Sequence, residues 1–335
     1  MTGGPLLWRR LVVAPLVLLF EAAIVVASPL LALIAALATP LAIGSRLLRV
    51  VAIAVDYAAR HLACTAACGV LWVASGFGRD LASARMRRAH YALLRWFIAR
   101  VYRTMTRMTR VDVRTTADSA EAQRALSARH GPLLVLSRHA GEGDSLLVLH
   151  ELLVRHRRRP RVVLHEALRL EPLIDILGHR LPNRFVDPRG GDIERDIATM
   201  AGDLGAHDAL LIFPEGGNFS PTRRRRAIER LVRGGHCEEA AWAGEMRHVS
   251  APRPGGTLAA IEAAPHADVV FIGHAGVPVG IRGLWRAMAT GQGVEMRLWI
   301  EPAGAIPRDR EQQIDWLFGW WRTIDAWIDE RAAAA

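Results

Sequence analysis

The hydrophobic residues of this 335-residue chain follow two different patterns. Residues 11–43 are almost entirely apolar, with Glu21 as the single charge, whereas the sequence beyond about residue 79 has the mixed composition of a soluble α/β domain. Prolines divide the apolar block into Leu16–Ser28 and Leu30–Ala42, each shorter than the ~20 residues that a simple membrane span needs. The block therefore predicts either one bent or tilted span, or a hairpin that turns between the two pieces.

The charges around this block favour the hairpin. Arg9 and Arg10 precede it, and Arg46 and Arg49 follow it, so the positive-inside rule would keep both ends on the cytoplasmic side. We expect residues 1–78 to anchor the protein in the cell membrane, with the domain that follows them facing the cytoplasm.

A second apolar stretch, residues 50–77, is interrupted by charges and leads into a basic segment. Over residues 79–110, arginines recur among leucine, tryptophan, phenylalanine and isoleucine, which predicts an amphipathic helix. Such a helix can be ordinary domain surface. Because an apolar block lies directly upstream, we favour docking on anionic lipid, where each arginine contributes about 1 kcal/mol.

Strand and helix patterns alternate through residues 111–335, which predicts an α/β fold with a mixed, largely parallel sheet covered by helices. Ligands then bind beyond the carboxyl ends of the strands. Tryptophans in the last helix are typical of a core or of a membrane interface. The predicted strands are 111–114, 132–136, 161–165, 184–187, 208–213, 268–273 and 294–301. The predicted helices are 119–128, 145–156, 167–178, 192–204, one from 221, 257–263 and 309–335.

A glycine-rich turn follows the predicted strand that ends at Leu136. His139 and Asp144 lie five positions apart in it, and on a continuous helix they would point about 140° away from each other. Gly141 and Gly143 are expected to permit the bend that lets the two side chains meet. A carboxylate on one imidazole nitrogen leaves the other nitrogen free to take a proton from a hydroxyl. Taken alone, the spacing fits a loop histidine beside a helix-capping aspartate better.

A second loop of the same kind follows the next strongly apolar strand. It runs from Phe213 to Gly217 with the sequence Phe-Pro-Glu-Gly-Gly, about seventy residues after the first loop. The combination of His139, Asp144 and this loop resembles the PlsC-type glycerolipid acyltransferase family, which includes 1-acylglycerol-3-phosphate acyltransferase. The resemblance covers roughly residues 130–280.

The resemblance implies an O-acyltransferase that needs no metal or cofactor, with residues 111–335 as its catalytic domain. In this family a histidine deprotonates the acceptor hydroxyl, which attacks an acyl thioester of coenzyme A or acyl carrier protein, and an aspartate orients the histidine. These roles fall on His139 and Asp144, with a lysophospholipid as the acceptor. The expected acceptor-binding residues are Phe213, Pro214, Glu215, Gly216, Gly217, Arg189 and Arg223.

Several positions depart from the family pattern. Arg138 stands where the family commonly has asparagine, and Gly141 where it has serine. No arginine directly follows the Glu-Gly pair, so Arg223 would have to act from the next turn. The middle motif is matched loosely, with Arg184 or Arg189 as its phosphate ligand. These departures affect the expected acceptor more than the reaction.

The composition narrows the expected partners. The formal net charge of +10 comes from arginine, since the chain contains no lysine, and the planar guanidinium group suits phosphate. The apolar N-terminal block favours membrane lipid over nucleic acid, for which no motif is visible. The three cysteines suggest neither a disulfide framework nor a metal site.

Alternative functions remain open from the residues alone. A His/Asp pair can also activate water in a membrane-bound hydrolase or thioesterase, although the chain has no G-x-S-x-G elbow. An acyltransferase that uses a lipid acceptor without glycerophosphate is a second alternative. The intact pair of His139 and Asp144 argues against a non-enzymatic scaffold that retains the fold.

Overall fold

The computed structural model describes residues 6–40, 44–128, 130–141, 143–187, 190 and 192–333. Within these residues, seven strands form a largely parallel sheet covered by helices, in the order β1-β7-β6-β2-β5-β3-β4, as the predicted α/β class requires. The strands are β1 Val111–Thr115, β2 Leu133–Ser137, β3 Arg159–His165, β4 Arg184–Val186, β5 Asp208–Ile212, β6 Asp268–Ala275 and β7 Gln292–Glu301. The predicted strands differ from these bounds by at most two residues at either end.

Helices make up most of the remaining described chain. A π-helical segment, Arg9–Val13, joins the first two helices, and another, His150–Arg155, continues the seventh. The α-helices are α1 Leu6–Trp8, α2 Ala14–Val26, α3 Ser28–Leu37, α4 Arg46–Ala74, α5 Ala84–Thr109, α6 Ala120–Ala128, α7 Asp144–Leu149, α8 Pro172–Arg180, α9 Ile193–Gly202, α10 Pro221–Arg233, α11 Cys237–Glu245, α12 Pro254–Ala263, α13 Gly280–Thr290 and α14 Arg310–Ala333.

The prediction of one helix over residues 167–178 is wrong. The chain forms a 3₁₀ turn, Glu166–Leu170, and then α8, because Glu171 caps a new helix that begins with Pro172. The Glu171 carboxylate accepts hydrogen bonds from two backbone N–H groups of the first turn. The predicted helices also omit α11 and α13, each of which buries only two side chains.

The described residues group into two compact units. One unit is drawn from 1–111, 162–191 and 282–292, and the other from 112–161, 192–281 and 293–335. The predicted domain boundaries at residues 78 and 110 stay predictions.

The N-terminal helices belong to the first unit, where α4 packs against α2, α3 and α5. In the described part of the chain, no single helix is long and apolar enough to cross a membrane. The pair Leu6–Val26 and Ser28–Leu37, bent by 58°, meets the length and composition of a broken span or a re-entrant loop. The bend lies next to the predicted turn, and residues 41–43 of the apolar block lie outside the described residues.

A buried polar cluster in the first unit involves the single charge of the apolar block. His61, fully buried in α4, hydrogen-bonds through Nδ1 to Glu21, 2.7 Å away, and through Nε2 to Glu171. Glu21 is therefore partnered inside the protein, which offsets the cost of burying a carboxylate. This contact ties α2 to α4 and to the first turn of α8.

The second unit is centred on β2. It pairs in parallel with β5 and with β6, and every residue of β2 and β5 is buried. Because a strand buried on both faces needs no polar alternation, these strands appear in the sequence as continuous apolar runs. The parallel pairing brings the segments after Ser137 and Ile212 out at the same edge of the sheet.

The tryptophans of α14 belong to the core of the second unit. Phe271 of β6 contacts Trp316, Trp320 and Trp321 with ring centroids 4.3–6.4 Å apart. Trp321 and Trp327 are buried. Of the two explanations for these aromatic residues, packing in the core is therefore the one that the structure supports.

Arg158 is the largest buried polar group of this unit, with 1% of its surface exposed. Its guanidinium donates hydrogen bonds of 2.7–2.8 Å to the backbone carbonyls of Ala125, Leu126, Gly131 and Ala206. The side chain thus satisfies carbonyl groups at the ends of α6, of the loop before β2 and of the loop before β5. This arrangement makes Arg158 a structural residue.

We expect Arg158→Ala to lower the free energy of unfolding by about 3 kcal/mol, because it removes a buried guanidinium that donates to four backbone carbonyls. Urea denaturation of the purified protein, followed by near-UV circular dichroism, measures the change. Arg157→Ala, which removes the same charge from the exposed neighbouring residue, is the matched control and should shift the midpoint little. Equal shifts in the two variants would contradict the assignment.

Candidate active site

The turn after β2 brings His139 and Asp144 together. Nδ1 of His139 lies 3.1 Å from Oδ2 of Asp144. The same carboxylate accepts backbone N–H groups from Ala140 at 2.6 Å, Gly141 at 3.1 Å and Ser145 at 3.0 Å. Burial alone would raise the pKa of Asp144, but the hydrogen bond from His139 and the N–H of Gly141 hold it below its ordinary value. Asp144 is thus an ionised, fixed partner for the imidazole.

The bend between these residues does not need the conformational freedom of glycine. Neither Gly141 nor Gly143 has a positive φ, and a Cβ on either would make only ordinary van der Waals contact. The expectation that the two glycines permit the bend is therefore wrong. The bend is instead stabilised by the N–H groups that converge on Asp144.

The His139 imidazole is held on one side and open on the other. Its side chain is 18% exposed, whereas that of Asp144 is fully buried. Phe213 stacks on the imidazole with ring centroids 4.3 Å apart. Among the described residues, no group hydrogen-bonds Nε2 of His139, so this nitrogen can receive a proton from a bound hydroxyl.

A second histidine, His274, lies behind the pair and was not predicted. It is fully buried in β6, with Nε2 3.3 Å from the carbonyl of Arg138 and 3.6 Å from Oδ2 of Asp144. Burial, together with the charge of Arg138, lowers the pKa of His274 to about 4. A neutral imidazole therefore backs the Asp144 carboxylate. The sequence signal was a single histidine inside an otherwise apolar strand.

Arg138, where the resemblance led us to expect asparagine, donates its guanidinium hydrogen bonds to the protein itself. It donates to the backbone carbonyl of His274 and, at 2.9 Å, to that of His248. Burial lowers the pKa of Arg138, although the nearby carboxylates of Glu215 and Asp144 oppose this effect. Arg138 thus connects the turn of His139 to β6 and to the segment that contains His248.

Glu215 joins the second loop to the first. One carboxylate oxygen accepts the backbone N–H of His139 and the other accepts that of Ser250, both at 2.8 Å. The side chain is buried. Its two oxygens are thereby used to position the loops around the imidazole.

The glycines of the second loop do require their conformation. Gly216 has φ +71° and Gly217 has φ +154°, a region that other residues adopt with strain. Arg223, in the first turn of α10, lies against Gly217 and donates to the carbonyl of Asn218 at 3.0 Å. The structure therefore brings the predicted residues 213–217 and Arg223 together near His139.

The other two predicted phosphate ligands stay predictions. Arg189 lies outside the described residues, and Arg184 belongs to β4 in the first unit. Among the described residues, no group of three or more histidine, cysteine, aspartate or glutamate side chains could hold a metal ion.

Comparison with known proteins gives one result for this site. The model of the acyltransferase family matches residues 111–275, a segment that extends from β1 to β6 and contains both loops. A search of curated proteins finds no match.

The buried carboxyl of Glu215 predicts a pH dependence of stability. Burial raises its pKa from 4.5 to about 7, against the opposing hydrogen bonds from the N–H groups of His139 and Ser250. Between these two pH values the folded state binds more protons than the unfolded state, so the free energy of unfolding should fall as the pH rises from 4.5 to about 7. Glu215→Gln cannot titrate and should lose this component of the slope.

Urea denaturation at several pH values across this window measures the effect. Glu238→Gln, at an exposed position in α11, is the matched control and should keep the wild-type slope. Glu215→Gln should also be less stable at the acidic end, because its amide NH₂ would face one of the two N–H donors. A wild-type slope in Glu215→Gln would show that another group causes the dependence.

Proposed function

Residues 111–275 belong to the acyltransferase family, and from this premise we propose that the protein is a membrane-associated O-acyltransferase of lipid metabolism. It moves a fatty acyl group from acyl-CoA or acyl carrier protein to the hydroxyl of a lysophospholipid such as 1-acylglycerol-3-phosphate. The observation that carries the proposal is the contact of His139 with Asp144. Nδ1 of the imidazole lies 3.1 Å from Oδ2 of the carboxylate, and Nε2 is left open for a substrate hydroxyl.

In the proposed reaction, His139 acts as the general base. The acceptor hydroxyl lies within about 3 Å of Nε2, which takes its proton as the oxygen attacks the thioester carbonyl. A C–O bond forms, the C–S bond breaks, and the proton passes from the imidazolium to the departing thiolate. Asp144 stabilises the imidazolium while it carries the proton. No cofactor is required.

The surroundings suit a base of this kind. The Asp144 carboxylate cannot rotate away, because three backbone N–H groups hold it in addition to the imidazole. Phe213 limits rotation of the imidazole ring by stacking on it. The base is therefore oriented before substrate binds, which lowers the entropic part of the barrier.

Apolar side chains on the N-terminal helices support membrane association. Several of them are exposed on the first unit, where water contact is unfavourable. They include Leu11, Leu16, Leu19, Phe20, Val26, Leu30, Leu33 and Leu37. The arginines of α5 would supplement this surface by attraction to anionic lipid. We propose that the bent pair of helices enters the membrane from the cytoplasmic side, where acyl-CoA is available.

We expect His139→Ala to lose acyl transfer by about 10²–10⁴-fold, because it removes the positioned base. Asp144→Asn should lose somewhat less, since the imidazole remains. Mass spectrometry of lipids after incubation with acyl-CoA and a panel of lysolipids measures the products. His236→Ala, at an exposed position before α11, is the control and should retain activity.

Two results would count against this mechanism. Near-wild-type turnover in correctly folded His139→Ala would exclude His139 as the base. Release of free fatty acid as the main product, with no acylated lipid, would favour the hydrolase.

Replacing Leu16 and Phe20 by aspartate should release the protein from membranes, because both side chains are exposed on α2 and contribute little to the interior. Sedimentation with vesicles of anionic phospholipid measures binding. Val232→Asp, at an exposed apolar position of α10, is the matched control and should sediment as the wild type does. Unchanged sedimentation of the double variant would contradict anchoring by this surface.

Orientation can be tested with the exposed Cys237, since Cys64 and Cys68 are buried. A membrane-impermeant maleimide should label Cys237 only after cells are opened, and Cys237→Ser should not be labelled at all. Labelling in intact cells would place this domain outside the cytoplasm.

A further inference from the structure

Two arginine side chains cover the backbone of the Gly216-Gly217 turn. A Cβ built on Gly216 would lie 2.9 Å from Nε and 3.0 Å from Cζ of Arg253, and a Cβ on Gly217 would lie 2.5 Å from a terminal nitrogen of Arg223. The absence of side chains at these two positions is therefore what lets both guanidinium groups approach the turn. Arg253 comes from a loop, twenty residues beyond the end of α10 in sequence number.

Arg253 is fixed to the loop that holds His139. Its backbone N–H donates to the carbonyl of Pro214 at 2.8 Å. The adjacent residue, Glu215, accepts the backbone N–H of His139. The segment that carries Arg253 and the turn that carries the imidazole are thus connected through two consecutive residues of the second loop.

The charges that act most strongly on Arg253 are positive. Partial burial and the neighbouring Arg230 and Arg223 lower the pKa of the Arg253 guanidinium. Within the described residues, none of these three arginines forms an ion pair with a carboxylate. Three unpaired cations in contact with solvent repel one another, and an anion bound among them would relieve this repulsion.

Other arginines of this region are unsuited to the same role. Arg224 donates to the backbone carbonyls of Met246 and Gly244 at 2.5 and 2.7 Å, so its guanidinium is occupied. Arg225 lies about 200° around the helix from Arg223 and is 70% exposed beside Glu229. Arg253 and Arg223 are left as the pair that covers the glycine turn.

We propose that Arg253 binds the phosphate group of the lipid acceptor, together with Arg223, above the backbone of the glycine turn. This inference rests on the proposed function, because an acceptor whose hydroxyl reaches His139 must have its headgroup anchored a few bonds away. A guanidinium can donate two parallel hydrogen bonds to a phosphate, and two such groups set its position and orientation. Arg253 then acts as a specificity residue for phosphorylated acceptors.

Binding can be measured without catalysis. Isothermal titration of the full-length protein in neutral detergent with sn-glycerol 3-phosphate should show binding in the millimolar range or tighter. Arg253→Ala should weaken it about tenfold or more, because a charge-assisted contact is lost. Arg253→Lys should recover part of the loss. Arg225→Ala removes the same charge from the opposite side of α10 and should change the affinity less than about twofold.

Coenzyme A also carries phosphate, so kinetic measurements are needed to distinguish a site for the acceptor phosphate from a site for the donor. Arg253→Ala and Arg223→Ala should each raise KM for a phosphorylated acceptor and leave KM for acyl-CoA unchanged. If both arginines hold one phosphate, the double variant should lose less than the product of the two single effects. A rise in KM for acyl-CoA alone would assign Arg253 to the donor and overturn the inference.

The remaining outcomes distinguish this inference from the proposed function. No binding of glycerol 3-phosphate to the wild type, or equal losses in Arg253→Ala and Arg225→Ala, would overturn the inference. Undiminished acyl transfer to a phosphorylated acceptor in Arg253→Ala would also overturn it and would leave the proposed function intact. Binding that depends on Arg253 in a protein without acyl transfer would remove the proposed function and leave an anion site.

Discussion

The candidate site depends on one buried carboxylate. An ionised group without contact to water is costly unless donors surround it, and Asp144 receives three backbone N–H groups and the imidazole of His139. These donors come from residues on both sides of the bend, so the turn after β2 can adopt few other conformations. The direction of the open imidazole nitrogen follows from this constraint.

The loops around this carboxylate are connected by other buried charges. Glu215 links the two loops through backbone N–H groups, and Asp325 of α14 accepts the N–H groups of Arg247, His248 and Val249. A helix near the end of the chain thereby shapes the segment that leads to Arg253. Since each contact joins a side chain to distant backbone, losing one should disturb several neighbours of the imidazole.

The sequence predicts the parts of this arrangement that have local signals. β2 and β5 are continuous apolar runs because they are buried on both faces, and their parallel pairing brings His139 next to Phe213. The sequence does not predict His274 or Arg253, because their positions depend on strand pairing and on loop contacts between distant segments. The helix boundary at Glu171 is missed because the predicted helical period continues across a cap and a proline.

Arginine has two different roles in a chain that lacks lysine, and the contacts of each guanidinium separate them. Arg138, Arg158 and Arg224 donate to backbone carbonyls of distant segments, so their charge stabilises the fold. Arg223 and Arg253 lie instead against glycine backbone, near a third cation and in contact with solvent. The amino-acid composition does not distinguish arginines that bind carbonyls from arginines that face solvent. A basic excess therefore becomes evidence for an anionic ligand only after the arginines that bind carbonyls are set aside.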